Sequence, residues 1–423
     1  MAVDRDRRMQ QRVAGLAFTG IGLMCSYSVA NAATLTSSIA ELAAAGGADS
    51  TEVYVLKLLE DQAMANGDQE LLDLFASVTS SEAAARLAGE ITPDRSGASV
   101  YNVITAQNVF TNTVRKRASD FILGDSARTS LWVSYLGTDS TSYVNSDGSN
   151  RFDGYDADSA GFAVGYDRVL SESSMLGVAF SQQSLNSDSR LYNYHLDIES
   201  YQASLYGTYE WRDIYFSAQG VVGWNSNTSK RVIGSMVEMA DKNEATARFN
   251  SQNAGLLLDA QFPVYLGSFT FLPSIFADYT LVKVEGYSEN YVREYDKSGK
   301  ETLAAGSPAS LAYDRQEHET LDLGIGLELA HRFTTNVGVF STQLKLKAQQ
   351  DVLDNALMTT ASLASGGSSF TLQASEADDF YYQSHLDFAW ETNTSFSWHL
   401  GAQYLWSDSQ ETTTFYGRGT YSF

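Results

Sequence analysis

Residues 201–211 read YQASLYGTYEW, and their odd and even positions differ in kind. Tyr201, Ala203, Leu205, Gly207, Tyr209 and Trp211 share one side, while Gln202, Ser204, Tyr206, Thr208 and Glu210 share the other. Successive side chains of a strand point to opposite faces, so this segment is a strand that is apolar on one face and wet on the other. The same alternation recurs down the chain. Leu321, Leu323, Ile325, Leu327 and Leu329 alternate with Asp322, Gly324, Gly326, Glu328 and Ala330. Leu344 and Leu346 alternate with Lys345 and Lys347, Leu386 and Phe388 with His385 and Asp387, and Trp398 and Leu400 with His399 and Gly401.

A soluble sandwich also alternates, so two further features decide. Aromatics stand near the ends of the apolar faces (Tyr166, Trp211, Trp390, Trp406), as in the girdles at membrane interfaces. Brief connections, such as Arg212-Asp213 and Tyr265 to Ser268, also alternate with long polar ones, Ser288 to Glu317 and Asp351 to Asp379. Short periplasmic turns and long outer loops are the pattern of a transmembrane barrel. Strands are expected near 130–141, 156–166, 174–186, 195–211, 214–228, 245–263, 269–286, 317–333, 337–350, 376–391, 395–407 and 412–423. That makes twelve, an even number, in an all-β transmembrane barrel whose closure leaves no edge exposed to lipid.

Composition agrees. The 423 residues hold 24 Tyr, 21 Phe and 32 Gly but only 4 Pro, a mix suited to strands. Mean hydropathy is −0.22, and the run of roughly 20 apolar residues that a membrane helix requires is missing. A formal charge of −23 excludes nucleic acid as a partner, because phosphates demand a basic surface. Residues 1–32 read as an export signal. Arg5, Arg7, Arg8 and Arg12 form the basic flank, Val13 to Met24 the apolar run, and Ala30-Asn31-Ala32 before Ala33 the cleavage site. Cys25, the only cysteine, lies within it, so the mature chain crosses an oxidising periplasm without thiols.

Residues 33–97 have a helical composition. Thr51–Glu60 and Gln69–Phe75 read as short helices, and Thr79-Ser80-Ser81-Glu82 as a capping box for a helix over 83–88 closed by Gly89. Val100, Val103, Ile104, Gln107, Phe110, Val114, Ala118 and Phe121 then recur at helical spacing. A helix from Ser99 to Ile122 is about 36 Å long at 1.5 Å per residue, enough to line the interior of a barrel. Arg115-Lys116-Arg117 lie in its last turns, where the helix dipole favours cations.

Residues 71–97 (LLDLFASVTSSEAAARLAGEITPDRSG), the helix after them and LWVSYLG at 131–137 together resemble the C-terminal translocator unit of type Va autotransporters. So do FDGYDADSAGFAVGYDR at 152–168, SYQASLYGTYEW at 200–211 and the closing FYGRGTYSF. The resemblance covers about 52–423 and implies a twelve-stranded barrel with an α-helix through its pore. It also implies residence in the bacterial outer membrane and type V export of an N-terminal passenger. The implied divisions are a signal peptide over 1–32, a reduced or absent passenger over 33–97, the pore helix over 98–124 and the barrel over 125–423. Phe110, Asn112, Val114, Arg115, Lys116 and Arg117 match the pore helix, and Tyr421 and Phe423 match the barrel-assembly signal. The implied partners of this monomer are outer-membrane lipid and lipopolysaccharide, the barrel-assembly machinery and periplasmic chaperones. One departure stands out. A long β-solenoid passenger needs at least three repeats of 20 or more residues, and none is visible in the roughly 65 residues before Gly97.

Enzymatic constellations are scarce. His195, His318, His331, His385 and His399 show no H-E-x-x-H spacing, and no G-x-S-x-G elbow occurs. His385 and Asp387 share a lumen face, where lining a wet interior accounts for both. Asp147 to Asp158 lacks the complete calcium-loop pattern and reads as a surface loop. Some members of the resembled family cut the passenger at paired asparagines of the pore helix; here Asn112 stands alone before Thr113. Asp259, Asp278 and Glu328 are expected to face the lumen and pair with Arg115, Lys116, Arg117, Lys345 or Lys347. No catalytic, cofactor or metal site is expected. The alternative to a translocator is a stand-alone structural barrel or small pore without a secretion role.

Overall fold

The computed structural model describes residues 38–124, 129–147, 150–237, 244–289, 292–295, 301–304, 307–353, 355–375, 378, 380–392 and 395–423. The signal segment 1–32 and its cleavage residues Ala30, Ala32 and Ala33 lie outside the described residues.

Twelve long strands close the barrel: β1 Ser130–Ser142, β2 Tyr155–Ser171, β3 Ser174–Ser189, β4 Tyr194–Trp211, β5 Ile214–Val232 and β6 Glu244–Gln261 make one half. The other half is β7 Phe269–Val284, β8 Gln316–Thr335, β9 Gly338–Asp351, β10 Phe380–Thr392, β11 Phe396–Trp406 and β12 Gln410–Ser422. Every neighbour pair is antiparallel and consecutive, and β12 returns to β1 from Ser422↔Ser130 to Gln410↔Ser142. The period-two reading carries through to packing. In β4, Tyr201, Leu205, Tyr209 and Trp211 are exposed on the outer face, whereas Gln202, Ser204, Tyr206 and Thr208 are buried inside. The β4–β5 connection is two residues, Arg212 (φ 52°) and Asp213 (φ 63°), both left-handed as a type I′ hairpin turn requires.

Five helices precede the barrel: α1 Ile39–Ala45, α2 Ser50–Asn66, α3 Gln69–Ala76, α4 Ser81–Ile91 and α5 Ala98–Ile122. Two local expectations fail. The reciprocal capping box belongs to α2, where Asp49 and Glu52 satisfy each other's backbone N–H, while α4 is capped by Ser80 alone. Gly89 does not close α4 but lies inside it, because a Cβ there would meet the Tyr192 ring at 2.0 Å. The glycine admits the β3–β4 loop against the helix.

The long outer connections are also more structured than their polar composition suggests. Tyr287–Ser288, Leu311–Tyr313, Leu357–Leu363 and Phe370–Ser375 pair into a second, four-stranded sheet. Leu311, Leu363, Phe370 and Leu372 of that sheet share one buried core with Val55, Leu56, Leu59, Leu71, Leu74, Leu87 and Ile91 of the helices. The four helices and the loop sheet therefore form a single cap at the long-loop end of the barrel. The stretch from Asp147 to Asp158 is likewise not a plain loop: Asn145–Asp147 pairs with Asn150–Phe152, and β2 starts at Tyr155.

Candidate functional site

The helix α5 begins under the cap and ends at the short-turn end of the barrel. Ala98, Val100, Val103 and Ala106 pack with Tyr155, Leu196, Ile198 and Phe249 near the outer ends of their strands. Val109, Phe110, Val114 and Phe121 pack lower down with Trp132, Leu136, Met175, Tyr206 and Leu257. At its foot the carbonyl of Leu123 accepts from Arg332, close to the β8–β9 turn. The helix starts without a side-chain cap on its Gly97 N-cap (φ 68°), where a Cβ would meet the Tyr101 ring at 2.6 Å. Ser96 Oγ accepts the Ala98 N–H instead, at 3.1 Å.

Polar contacts fix the helix in rotation. Gln107 donates to Thr280 Oγ1 (2.9 Å) and accepts from Asn253 Nδ2 (2.7 Å), and Gln183 donates to the Ala106 carbonyl (2.9 Å). Below them Arg115 spans Asp259 (3.0 Å) and Asp278 (2.5 Å). Arg117 grips Asp167 with two parallel bonds, Nε at 3.0 Å and Nη2 at 2.9 Å. Asp167 also accepts from Tyr206 (3.1 Å), which in turn accepts from Trp132 Nε1. Lys116 pairs with Asp120 one turn on and lies 3.4 Å from Asp387. Asp120 meets Arg418 of β12, and Ser119 donates to Glu328, which Lys345 approaches at 3.5 Å. These ion pairs are buried. Desolvating a charge costs several kcal/mol unless a partner of good geometry compensates it, so each arginine is useful only where its carboxylate waits.

The structure thus brings together Arg115 with Asp259 and Asp278, and Lys345 with Glu328. Arg115 and Arg117 are held by wall carboxylates, and Lys116 by Asp120 of the helix itself together with Asp387 of the wall. Asp167, Asp120 and Arg418 carry no sequence expectation, and Asp387, expected on a lumen face, joins the network as a partner of Lys116. Asp167 and Arg418 have a visible signal, a charge on the inward side of an alternating strand. Phe110 and Val114 are fully buried, and Asn112 is half-buried with its amide between Arg115 and Gln403, 3.4 Å from each. His399, rather than His385, is the histidine beside Asp387 (3.5 Å), with Tyr416 donating to the same carboxylate at 2.7 Å. Tyr421 and Phe423 stand exposed on the outer face of β12, ring centroids 5.7 Å apart.

A second cluster ties the cap to the rim. Asp49 accepts from Arg95 (2.8 Å) and from the Arg151 N–H (3.0 Å), and Glu52 pairs with Arg151 and Tyr192. Glu90 of α4 accepts the Gly234 and Ser235 N–H groups, and Arg231 joins the Glu90 carbonyl to Glu289. Asp153 beside this hinge accepts from Ser189 and the Leu191 N–H; burial, aided by nearby Asp94, pushes its carboxyl up to about 6.

Comparison with known proteins agrees with this geometry. The family model described as the autotransporter beta-domain matches residues 131–403. The curated proteins named Esterase EstA, from Pseudomonas aeruginosa and Pseudomonas putida, are each 26% identical over 244 residues. That alignment takes in 54% of this chain and 34% of either relative, so about a third of each relative's length is spanned. Among solved structures, the translocator domain of autotransporter NalP from Neisseria meningitidis has a TM-score of 0.56 at 13% identity, covering 76% of this chain and 98% of that one. A closed twelve-stranded barrel of that fold, matched by the family model over more than half its length, is a translocator barrel of the bacterial outer membrane, and this chain belongs to the autotransporter β-domain family.

Proposed function

We propose that this translocator exports its own N-terminal segment and displays it as the folded cap, with α5 as the tether left in the lumen. The observation that carries the reading is covalent continuity: α5 runs from the cap at the long-loop end to β1 at the short-turn end. Since long loops face the outside of an outer-membrane barrel, residues 38–97 lie beyond the membrane. On this reading 1–32 is the signal removed after Ala32, 33–97 the exported cap, 98–124 the pore helix and 125–423 the barrel. The cap's buried core is shared with the loops.

The same reading assigns partners. Outer-membrane lipid and lipopolysaccharide contact the apolar outer face, and the barrel acts as a monomer because closure leaves no strand edge to pair. Tyr421 and Phe423, exposed at the end of β12, present the signal to the barrel-assembly machinery, with periplasmic chaperones delivering the unfolded chain. The tether is read as uncut, because Asn112 is engaged on both sides by Arg115 and Gln403. The barrel is read as non-catalytic, the lumen His399–Asp387 contact serving the ion-pair network. The esterase activity named for the two relatives is not carried over, since the alignment spans 34% of their length. An epitope fused after Ala33 tests export: protease added to intact cells should remove it, whereas an epitope protected until the outer membrane is broken would refute the reading.

A further inference from the structure

We propose that the lower lumen binds one small monovalent anion of the halide class, held between α5 and the wall strands β8–β10. The first observation is a cavity of about 380 Å³ beside the lower half of the helix. Arg115 and Lys116 line it from the helix side, and Gln343, Lys347 and His385 from the wall. The helix backbone lies close to β1–β7, so on this side the wall is reached through side chains, as Lys116 reaches Asp387.

The second observation is a set of buried polar groups without partners, all on the cavity lining. Lys347 is 6% exposed, yet among the described residues no carboxylate forms an ion pair with it, and its ammonium lies over the Phe276 ring at 4.0 Å. The carboxylates that act on it, Asp278 and Asp259, are both engaged by Arg115, at 2.5 and 3.0 Å. Gln343, 3% exposed, has a hydrogen-bond partner on neither amide atom, and His385 Nε2 has none either. A buried ammonium without a counter-charge is strongly unfavourable, and so are buried donors left unmatched. One guest that accepts from all three groups offsets these costs together.

The lining also sets the charge of the guest. Four cationic heads, of Arg115, Lys116, Lys345 and Lys347, face two carboxylates, Glu328 and Asp387. Lys116 is taken by Asp120 and Asp387, and Lys345 lies 3.5 Å from Glu328, which leaves Lys347 as the anchor. Glu328 and Asp387 repel a multivalent oxyanion such as phosphate or sulfate, whereas a monovalent ion needs only one free cation and neutral donors. The Gln343 amide supplies one donor, and His385 a second in the tautomer that carries its proton on Nε2. Glu328 Oε1 and the Gln343 carbonyl accept rather than donate, and are matched by water sharing the cavity. The anion ties the lower half of α5 to strands that its backbone does not approach. Since Lys347 and Gln343 are buried, it is captured as the helix seats.

Bromide, which scatters anomalously, is the probe. Full-length protein refolded into detergent and crystallised in sodium bromide should show an anomalous peak in contact with Lys347 Nζ, His385 Nε2 and Gln343 Nε2. Refolding across a urea series, at one ionic strength maintained with sodium gluconate, should give a midpoint that rises with bromide concentration. A ligand that binds only the folded state stabilises it by mass action. Lys347→Met removes the anchoring charge, keeps a side chain of similar length and should abolish the rise. Lys283→Met, at the outer rim where Lys283 pairs with Glu317, should leave it unchanged. A lumen without the peak overturns the proposal, as does the same rise in Lys347→Met as in the parent. A peak with a midpoint indifferent to bromide marks an adventitious ion only and overturns it too. If Lys347→Met does not refold, the peak and the bromide dependence of the parent decide.

Discussion

Arg117 and Asp167 show at single-residue scale how the helix is held. Both side chains are almost wholly removed from solvent, and the bidentate geometry gives two charge-assisted bonds in one plane. Removing one partner leaves the other as an uncompensated buried charge, which costs about 3–5 kcal/mol, whereas replacing both with apolar groups of similar size is close to neutral. Arg117→Met should therefore free the lower half of α5, read as a large rise in amide exchange over 109–122. Adding Asp167→Leu should restore most of the protection; a double variant no better than the single one would show that the pair is not what seats the helix.

At the scale of elements, the hinge between the cap and α5 carries two acidic groups in unusual surroundings. Burial raises both Asp94 and Asp153, the latter to about 6. A carboxyl whose folded value lies above its unfolded value binds more protons when folded. Its contribution is therefore complete below about pH 4 and is lost as pH rises through about 6. Docking of α4 and the 92–97 connection should be tighter at pH 5 than at pH 7. After correction for intrinsic exchange, amides over 88–97 should exchange more slowly at pH 5, and Asp153→Asn should flatten the difference. A profile that is flat already in the parent chain would contradict this role. These elements also mark how far sequence reading reaches. Barrel strands were legible because alternation is imposed by lipid on one side and a polar lumen on the other, and the pore helix by its 3.6-residue spacing. The loop sheet was not, because Leu311–Tyr313 and Leu357–Leu363 are short and draw their burial from helices more than 200 residues away. Gly89 misled for a related reason: its lack of a side chain serves contact with Tyr192, which only the fold brings near. Of the lumen site, the cations were found from their clustering on one helix. Apart from Asp120 on the helix itself, their carboxylates are scattered over the barrel wall, where alternation marks Asp259, Asp278, Glu328 and Asp387 as inward-facing but does not say which cation each one meets.

Across the whole molecule, the barrel wall, the helix and the cap form one continuous path of chain. The cap leads into α5 at the outer mouth, α5 descends through the lumen, and β1 rises from the short-turn end to close against β12. Residues 38–97 form a compact body whose core is completed by the barrel's own loops. The proposed export assigns the cap to the outer medium and the short turns to the periplasm. Met64 in α2 is exposed on the cap, whereas Asp213 lies in the two-residue turn at the opposite end. Labelling intact cells with a membrane-impermeant maleimide, in a Cys25→Ser background, tests the central claim most directly. Met64→Cys should be labelled without lysis and Asp213→Cys only after the outer membrane is opened; protection of Met64→Cys on intact cells, or ready labelling of Asp213→Cys, would contradict the account.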